Sequence, residues 1–384
     1  MMQTVLLRIP PAALLCAMAT LAAGGEPWTR HTIDDTSRGA DGVRLADANG
    51  DGHMDIATAW EEGGVVRVYL HPGTEAVRAP WPAVTVGNVA DGEDAVFADL
   101  DNDGAMDVVS SCEGDTRTVY VHWAPVKTAD YLDPAAWQTE AIPATAGVAQ
   151  WMYALPLDVD ADGDADLVLG AKGSNAAVGW LIRPPNPRNL STWTWQPQHD
   201  AAWVMSLRAV DVDADARPDI LVSERRGARR GVYWLRNPDA AEAPWPVARI
   251  GPAGEAEMMF CWAGRPTPDG PLQVVAGGKA ERRLFRYTRL PAGDWRSHTA
   301  DAPADTGTPK GMAVADLDAD GRLEFVMSCE HAYRKRGVVA LDFETLALDF
   351  DIAGTRGIKF DRVVLIDLDG DGDLDVVTCE ETRG

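Results

Sequence analysis

Six stretches of the chain set acids at alternating positions: DANGDGHMD from Asp47, DLDNDGAMD from Asp99, DVDADGDAD from Asp158, DVDADARPD from Asp211, DLDADGRLE from Asp316 and DLDGDGDLD from Asp367. Positions 1, 3, 5 and 9 of each carry side-chain oxygens. They are Asp47, Asn49, Asp51 and Asp55; Asp99, Asp101, Asp103 and Asp107; Asp158, Asp160, Asp162 and Asp166. The later loops supply Asp211, Asp213, Asp215 and Asp219; Asp316, Asp318, Asp320 and Glu324; Asp367, Asp369, Asp371 and Asp375. Position 7 can add a backbone carbonyl, and glycine at position 6 permits the turn that would fold the chain round an ion. Calcium takes about six to eight hard oxygen ligands, whereas magnesium keeps a tight octahedron with several waters, so this donor set points to calcium.

Charge strengthens the argument. The first loop holds three carboxylates and the other five hold four each, 23 in all. Two carboxylates about 5 Å apart repel by about 3 kcal/mol at an effective dielectric of about 20, so a folded loop of four would open without a cation. Up to six structural calcium ions are expected, returning +12 of the formal −24. The fourth loop has Ala216 in place of the glycine, which predicts strain and weaker binding. Glu324 in place of an aspartate is chemically tolerable.

The loops are evenly spaced, and that spacing defines the elements that must hold them. Their starts are 52, 59, 53, 105 and 51 residues apart, and the double step predicts a further unit near residue 265. RPTPDGPLQVVAGG stands there, with Arg265, Thr267 and Gln273 at ligand positions, so this loop is expected to bind no ion. Seven units at a fixed period indicate a repeat architecture. In each unit an apolar run enters the acidic loop and a second leaves it (VRLA and MDIATAW, AVFA and MDVVSS). A third follows a charged turn (GVVRVYL, TVYVHW, GVYWLR), and a fourth carries tryptophan. Short runs rich in Val, Ile and Trp, punctuated by Gly, Pro and Asp, read as strands. The predicted fold is all-β: a seven-bladed β-propeller with four-stranded blades.

With six D-x-[DN]-x-D-[GA]-x-x-[DE] matches, residues 26–384 resemble the FG-GAP/VCBS repeat family of secreted calcium-loop propellers. The same architecture forms the head of integrin α chains. The literal Phe-Gly…Gly-Ala-Pro signature is absent, so the similarity is to the bacterial VCBS-like branch. The resemblance implies the fold and calcium, and no single activity.

Residues 1–25 end an apolar stretch at Ala22-Ala23-Gly24-Gly25 and read as a signal peptide, which places the mature chain outside the cell or in the periplasm. No segment is long and apolar enough for a membrane span. Gly384 falls where the third strand of the seventh blade should begin. That blade is therefore expected to lack its third strand, through truncation or a gap, and to be closed by the N-terminal stretch PWTRHTI. Cys112, Cys261, Cys329 and Cys379 could pair in three ways, but three of them occupy one repeated slot before a glutamate, which favours buried free thiols.

A net charge of −24 excludes nucleic acid as a partner. The face opposite the acidic loops carries the turns between second and third strands, where loops can vary without disturbing the ring. Ten of the 35 basic residues fall in three adjacent turns of that face. From these turns we take Arg225, Arg229, Arg230, Lys279, Arg282 and Arg334, with neighbouring Glu330 and His331, as candidate ligand-binding residues for an anionic glycan or an extracellular protein. Charged hairpin tips also serve solubility alone. No histidine cluster offers a zinc site and no nucleophile–base spacing is visible, so no catalytic residue is assigned. The expected role is a monomeric binding or scaffold module. The alternative is a carbohydrate-active enzyme, a polysaccharide lyase or sugar dehydratase, using Glu113, Lys172, Glu224, Lys279, Glu330 and His331.

Overall fold

The computed structural model describes residues 26–238 and 245–382. The expected signal peptide and Gly384 lie outside the described residues. The first sheet contains β1 (Ala40–Ala46), β2 (Asp55–Trp60), β3 (Val65–Tyr69) and β4 (Ala83–Gly87); the second contains β5 (Gly92–Ala98), β6 (Asp107–Cys112), β7 (Val119–Trp123) and β8 (Gln138–Ala141). The third is β9 (Gln150–Leu157), β10 (Asp166–Lys172), β11 (Ala177–Ile182) and β12 (Thr194–Asp200). The fourth is β13 (Val204–Val210), β14 (Asp219–Glu224), β15 (Gly231–Leu235) and β16 (Val247–Arg249). The fifth is β17 (Met258–Gly264), β18 (Gln273–Gly278), β19 (Arg283–Arg289) and β20 (Trp295–Asp301). The sixth is β21 (Thr308–Ala315), β22 (Glu324–Glu330), β23 (Val338–Asp342) and β24 (Leu348–Asp351), and the seventh holds β25 (Phe360–Ile366) and β26 (Asp375–Glu380). All pairings are antiparallel, and each predicted acidic loop joins a first strand to a second.

The first strands lie side by side in sequence order, and β25 lies against β1. The cores form between sheets. Leu100, Val109 and Trp123 of the second pack on Trp151, Leu167 and Leu169 of the third, and Ile56, Trp60 and Tyr69 of the first pack on Val377 and Cys379 of the seventh. The approach is close enough to require glycine at Gly277, where a Cβ would stand 2.3 Å from Met312 and 2.5 Å from Pro309 of the next sheet. Among the described residues no helix is long and apolar enough to cross a membrane.

The register of every first strand slips by one residue, for instance between Gly92 and Asp94, Val204 and Ser206, Pro309 and Met312, and Phe360 and Val363. Such bulges re-aim side chains, and here they recur at the same depth in all seven sheets.

The seventh sheet has two strands among the described residues, and the N-terminal stretch corrects our expectation. PWTRHTI forms no strand and does not pair with β26. Instead Trp28 N donates to Ile352 O at 3.0 Å and its indole stacks on Phe350, while Trp81 N donates to Ile33 O at 3.2 Å. The stretch thus spans from the sixth sheet to the first. Between it and β26 lies a cavity of about 250 Å³ lined by Trp60, Tyr69, Phe360, Val377 and Cys379. Among the described residues no third strand stands beside β26, so a fourth has no ladder to join. Cys112, Cys261, Cys329 and Cys379 are buried and free.

Candidate functional site

All six acidic loops fold alike. Position 4 is left-handed in each (Gly50, Asn102, Ala161, Ala214, Ala319 and Gly370, φ 56 to 75°), and so is position 6 (Gly52, Gly104, Gly163, Ala216, Gly321 and Gly372, φ 70 to 96°). The carboxylate at position 1 accepts the amide of position 6, as when Gly52 N donates to Asp47 at 3.0 Å and Gly163 N donates to Asp158 at 3.0 Å. The acid at position 9 opens the second strand and ties the loop to the sheet. Asp55 accepts from Ala48 N at 2.9 Å and His71 N at 2.8 Å; Asp219 accepts from Val212 N at 2.9 Å and Asn237 N at 2.8 Å.

These constraints gather charge. Carboxylate oxygens of Asp99, Asp101 and Asp107 lie within 4.8 Å of one another, as do those of Asp158, Asp160 and Asp166, of Asp211, Asp213 and Asp215, and of Asp316, Asp318 and Asp320. Burial first, then the neighbouring loop acids, push Asp107 and Glu324 up to about 7 and Asp166 and Asp219 up to about 6. Asp55 and Asp375 are raised for the same reasons. An all-oxygen donor set whose innermost acid resists ionisation alone suits a hard divalent cation. In the fifth unit Gln273 is buried at position 9, and Arg265 donates to Gly270 O at 3.0 Å across the turn, so a neutral amide and a cation replace the acids.

Ala216 takes the same left-handed turn as its glycine counterparts, at φ 70°. A Cβ in that region costs about 1 kcal/mol or more. Ala216→Gly is expected to stabilise the protein by about 1 kcal/mol, measured by calcium-saturated denaturant unfolding. A loss of stability would show that the turn carries no strain.

On the opposite face the candidate residues divide into structural and exposed groups. Lys279 pairs with Glu330, whose carboxylate lies 3.8 Å from His331 Nδ1, so these three do meet. Arg282 is committed to the backbone, donating to Gly307 O at 2.9 Å, Pro303 O at 3.0 Å and Thr306 O at 3.2 Å. Arg229 donates to Asp200 O at 3.2 Å. The carbonyl of Arg230 receives Arg249 at 3.1 Å, and its own Nε is buried without a hydrogen-bond partner. Arg225 lies 3.6 Å from Glu257 and 4.4 Å above the Trp203 ring. Arg334 is exposed, beside the exposed Tyr333. The acid–base residues of the enzyme alternative fall into separate groups. Lys172 pairs with Glu113 and lies 3.4 Å from Glu93, between the second and third sheets, while Glu224 accepts from Ala202 N at 2.6 Å in the fourth.

Sequence reasoning missed the charges in the first strands. Lys310, 5 % exposed, lies 2.8 Å from Asp361 and pairs also with Glu381, which in turn pairs with Lys359. Lys310, Asp361, Asp41 and Glu93 all stand six residues before the first residue of their loop. Aligning the repeats on that residue reveals them as charges within otherwise apolar strands. Trp151, Met152, Met205, Met258 and Met259 are buried core, while Trp203 and Trp262 are half-buried.

A profile of FG-GAP-like repeats matches residues 47–110 and 158–222. No curated protein matches the chain. Among solved structures, the chain is similar to a chain from the crystal structure of BBS1N in complex with ARL6DN, soaked with lead. The TM-score is 0.54 and the identity 13 %, covering 92 % of this chain and 96 % of that one. It is also similar to a protein from Lactobacillus plantarum, with TM-score 0.50 and identity 12 %, covering 81 % of this chain and 84 % of that one. At such identities the likeness concerns the fold, which is all-β and propeller-like. The two profile matches contain four of the six acidic loops, and all six share one geometry, so the chain carries FG-GAP-like repeats.

Proposed function

We propose that the chain is an exported, closed seven-bladed propeller, stabilised by up to six calcium ions in its acidic loops, that serves as a binding or scaffold module. The observation that carries the reading is the shared loop geometry: two left-handed turns in each loop, with three carboxylates brought together in at least four of them. Positions 1, 3, 5 and 9 would hold the ions, and bound calcium would supply charge neutralisation and cross-linking of first to second strands. Titration of chelated protein with calcium is expected to show several sites per chain, and an absence of calcium-dependent heat would overturn the reading.

The partner face is the one opposite the loops. Three of its cations surround Trp203: the half-buried Arg225 at 4.4 Å and Lys172 at 4.6 Å, and the exposed Arg226 at 5.5 Å from the ring centre. Arg334 adds an exposed charge two sheets on. An aromatic ring amid cations suits an acidic glycan, which offers both a sugar face and carboxylates. Retention on immobilised polygalacturonate is expected to fall at least about tenfold in the Arg226→Glu/Arg334→Glu variant, since both side chains are exposed and reversal replaces attraction with repulsion. Unchanged retention would exclude this face.

A further inference from the structure

Inside the ring of first strands lies a second concentration of positive charge that neither the loops nor the outer face explains. Arg44 and Arg208 each stand three residues before the first residue of their loop, on β1 and β13, and Arg362 stands five before, on β25. The Arg362 guanidinium reaches Tyr153 of β9 and Phe260 of β17, at 5.7 and 5.1 Å from the ring centres, so this side chain from the seventh sheet contacts the third and fifth. Burial first, then the nearness of Arg44, push Arg362 down to about 10, and Arg208 acts in the same direction.

The acids of the neighbouring first strands are engaged by other groups. Asp94 is engaged by Arg44 through two bonds of 2.9 and 2.5 Å. Asp361 accepts from Gly42 N at 3.0 Å with one oxygen and faces Lys310 at 2.8 Å with the other. Glu93 faces Lys172. Arg208 donates Nε to Cys261 O at 2.7 Å, a neutral acceptor. Arg362 Nε and Nη2 are buried and find no hydrogen-bond acceptor, and neither Arg208 nor Arg362 has a carboxylate within 4.0 Å among the described residues. Guanidinium charge removed from water is costly unless an anion or a full set of acceptors meets it. Two guanidinium groups without a carboxylate partner thus stand inside the ring, and Arg362 presents its donors beside Tyr153 and Phe260.

We propose that the interior of the ring binds a small oxyanion, a carboxylate or sulfate group, through the free Nε and Nη2 of Arg362 with Arg208 and Arg44 beside it. A guanidinium fork reads two oxygens of such a group at once. The site differs in place and chemistry from the acidic loops and from the outer face.

The probe is sodium sulfate, titrated calorimetrically into the full calcium-equilibrated chain at constant ionic strength set with chloride. Saturable single-site binding is expected, weakened at least about tenfold in Arg362→Met because one charge-assisted pair is lost. Without sulfate, Arg362→Met should melt no lower than the wild type, since the substitution removes a half-buried charge that no carboxylate meets. Should that variant fail to fold, Arg208→Met provides the same comparison. Sulfate heats that show no saturation by about 50 mM, or equal affinity in wild type and folded variant, would overturn the proposal.

Discussion

Chelating calcium from the purified protein is expected to lower its melting temperature by about 20 °C, or to abolish the cooperative transition altogether. A site held at a hundredfold its dissociation constant contributes about 2.7 kcal/mol, so six such loops approach about 16 kcal/mol. That matches the whole stability of an ordinary domain, about 5–15 kcal/mol. The mechanism lies in the loop geometry. Without an ion, Asp99, Asp101 and Asp107 hold their oxygens within 4.8 Å of one another, and similar sets recur round the ring. Repulsion then acts at the turn between a first and a second strand, where both strands must stay in register. Magnesium should restore little, because its small octahedron cannot use so many protein oxygens. Calorimetry in buffered calcium, in magnesium and in chelator would check this; an unchanged melting temperature in chelator would refute it.

The loops and the period could be read from the sequence because each expresses a local rule. An acid at every second position, a glycine at position 6 and a strand on either side need no knowledge of the rest of the chain. Even the decayed unit at Arg265 was found by spacing alone. What could not be read depends on which sheets become neighbours. In sequence Lys279 reads as a cation of a binding face, but the fold sets it against Glu330 of the next sheet. Arg282 looked the same in sequence and instead spends its guanidinium on three carbonyls beyond its own turn. PWTRHTI has the composition of a fourth strand, yet strand formation needs a partner edge within hydrogen-bond reach, and a cavity separates it from β26. The buried charges of the first strands were hidden for a different reason. A bulge in each first strand decides which side chain turns inward, and nothing in an apolar run such as TPKGMAVA marks where the register will slip.

Lys310→Met is expected to cost about 3–5 kcal/mol at pH 8, the penalty for leaving a buried charge without its partner. Lys310 is 5 % exposed, Asp361 is 1 % exposed, and 2.8 Å separates ammonium from carboxylate. The two groups hold each other charged despite burial: Lys310 is raised above its ordinary value by Asp361 and Asp41, and Asp361 is lowered by Lys310. In the wild type the depressed Asp361 contributes stability that is present above about pH 4 and lost on acidification. The raised Lys310 contributes stability present below about pH 10 and lost in alkali. Between those limits this pair adds no slope. Without the ammonium, burial and Asp41 would raise Asp361 above its unfolded value, so the folded variant would bind a proton that the unfolded chain releases. Its stability should then fall as pH rises, and the deficit against wild type should shrink towards pH 5. Lys310→Arg, which keeps the charge, should recover part of the loss. Lys310→Met/Asp361→Asn should recover more than additivity allows, because the second substitution removes the charge that the first exposed to burial. Denaturant unfolding at pH 5 and pH 8 in saturating calcium measures these four proteins and the Asp361→Asn single variant that additivity requires; a Lys310→Met deficit that is the same at both pH values would show that the side chain matters for its packing and not for its charge.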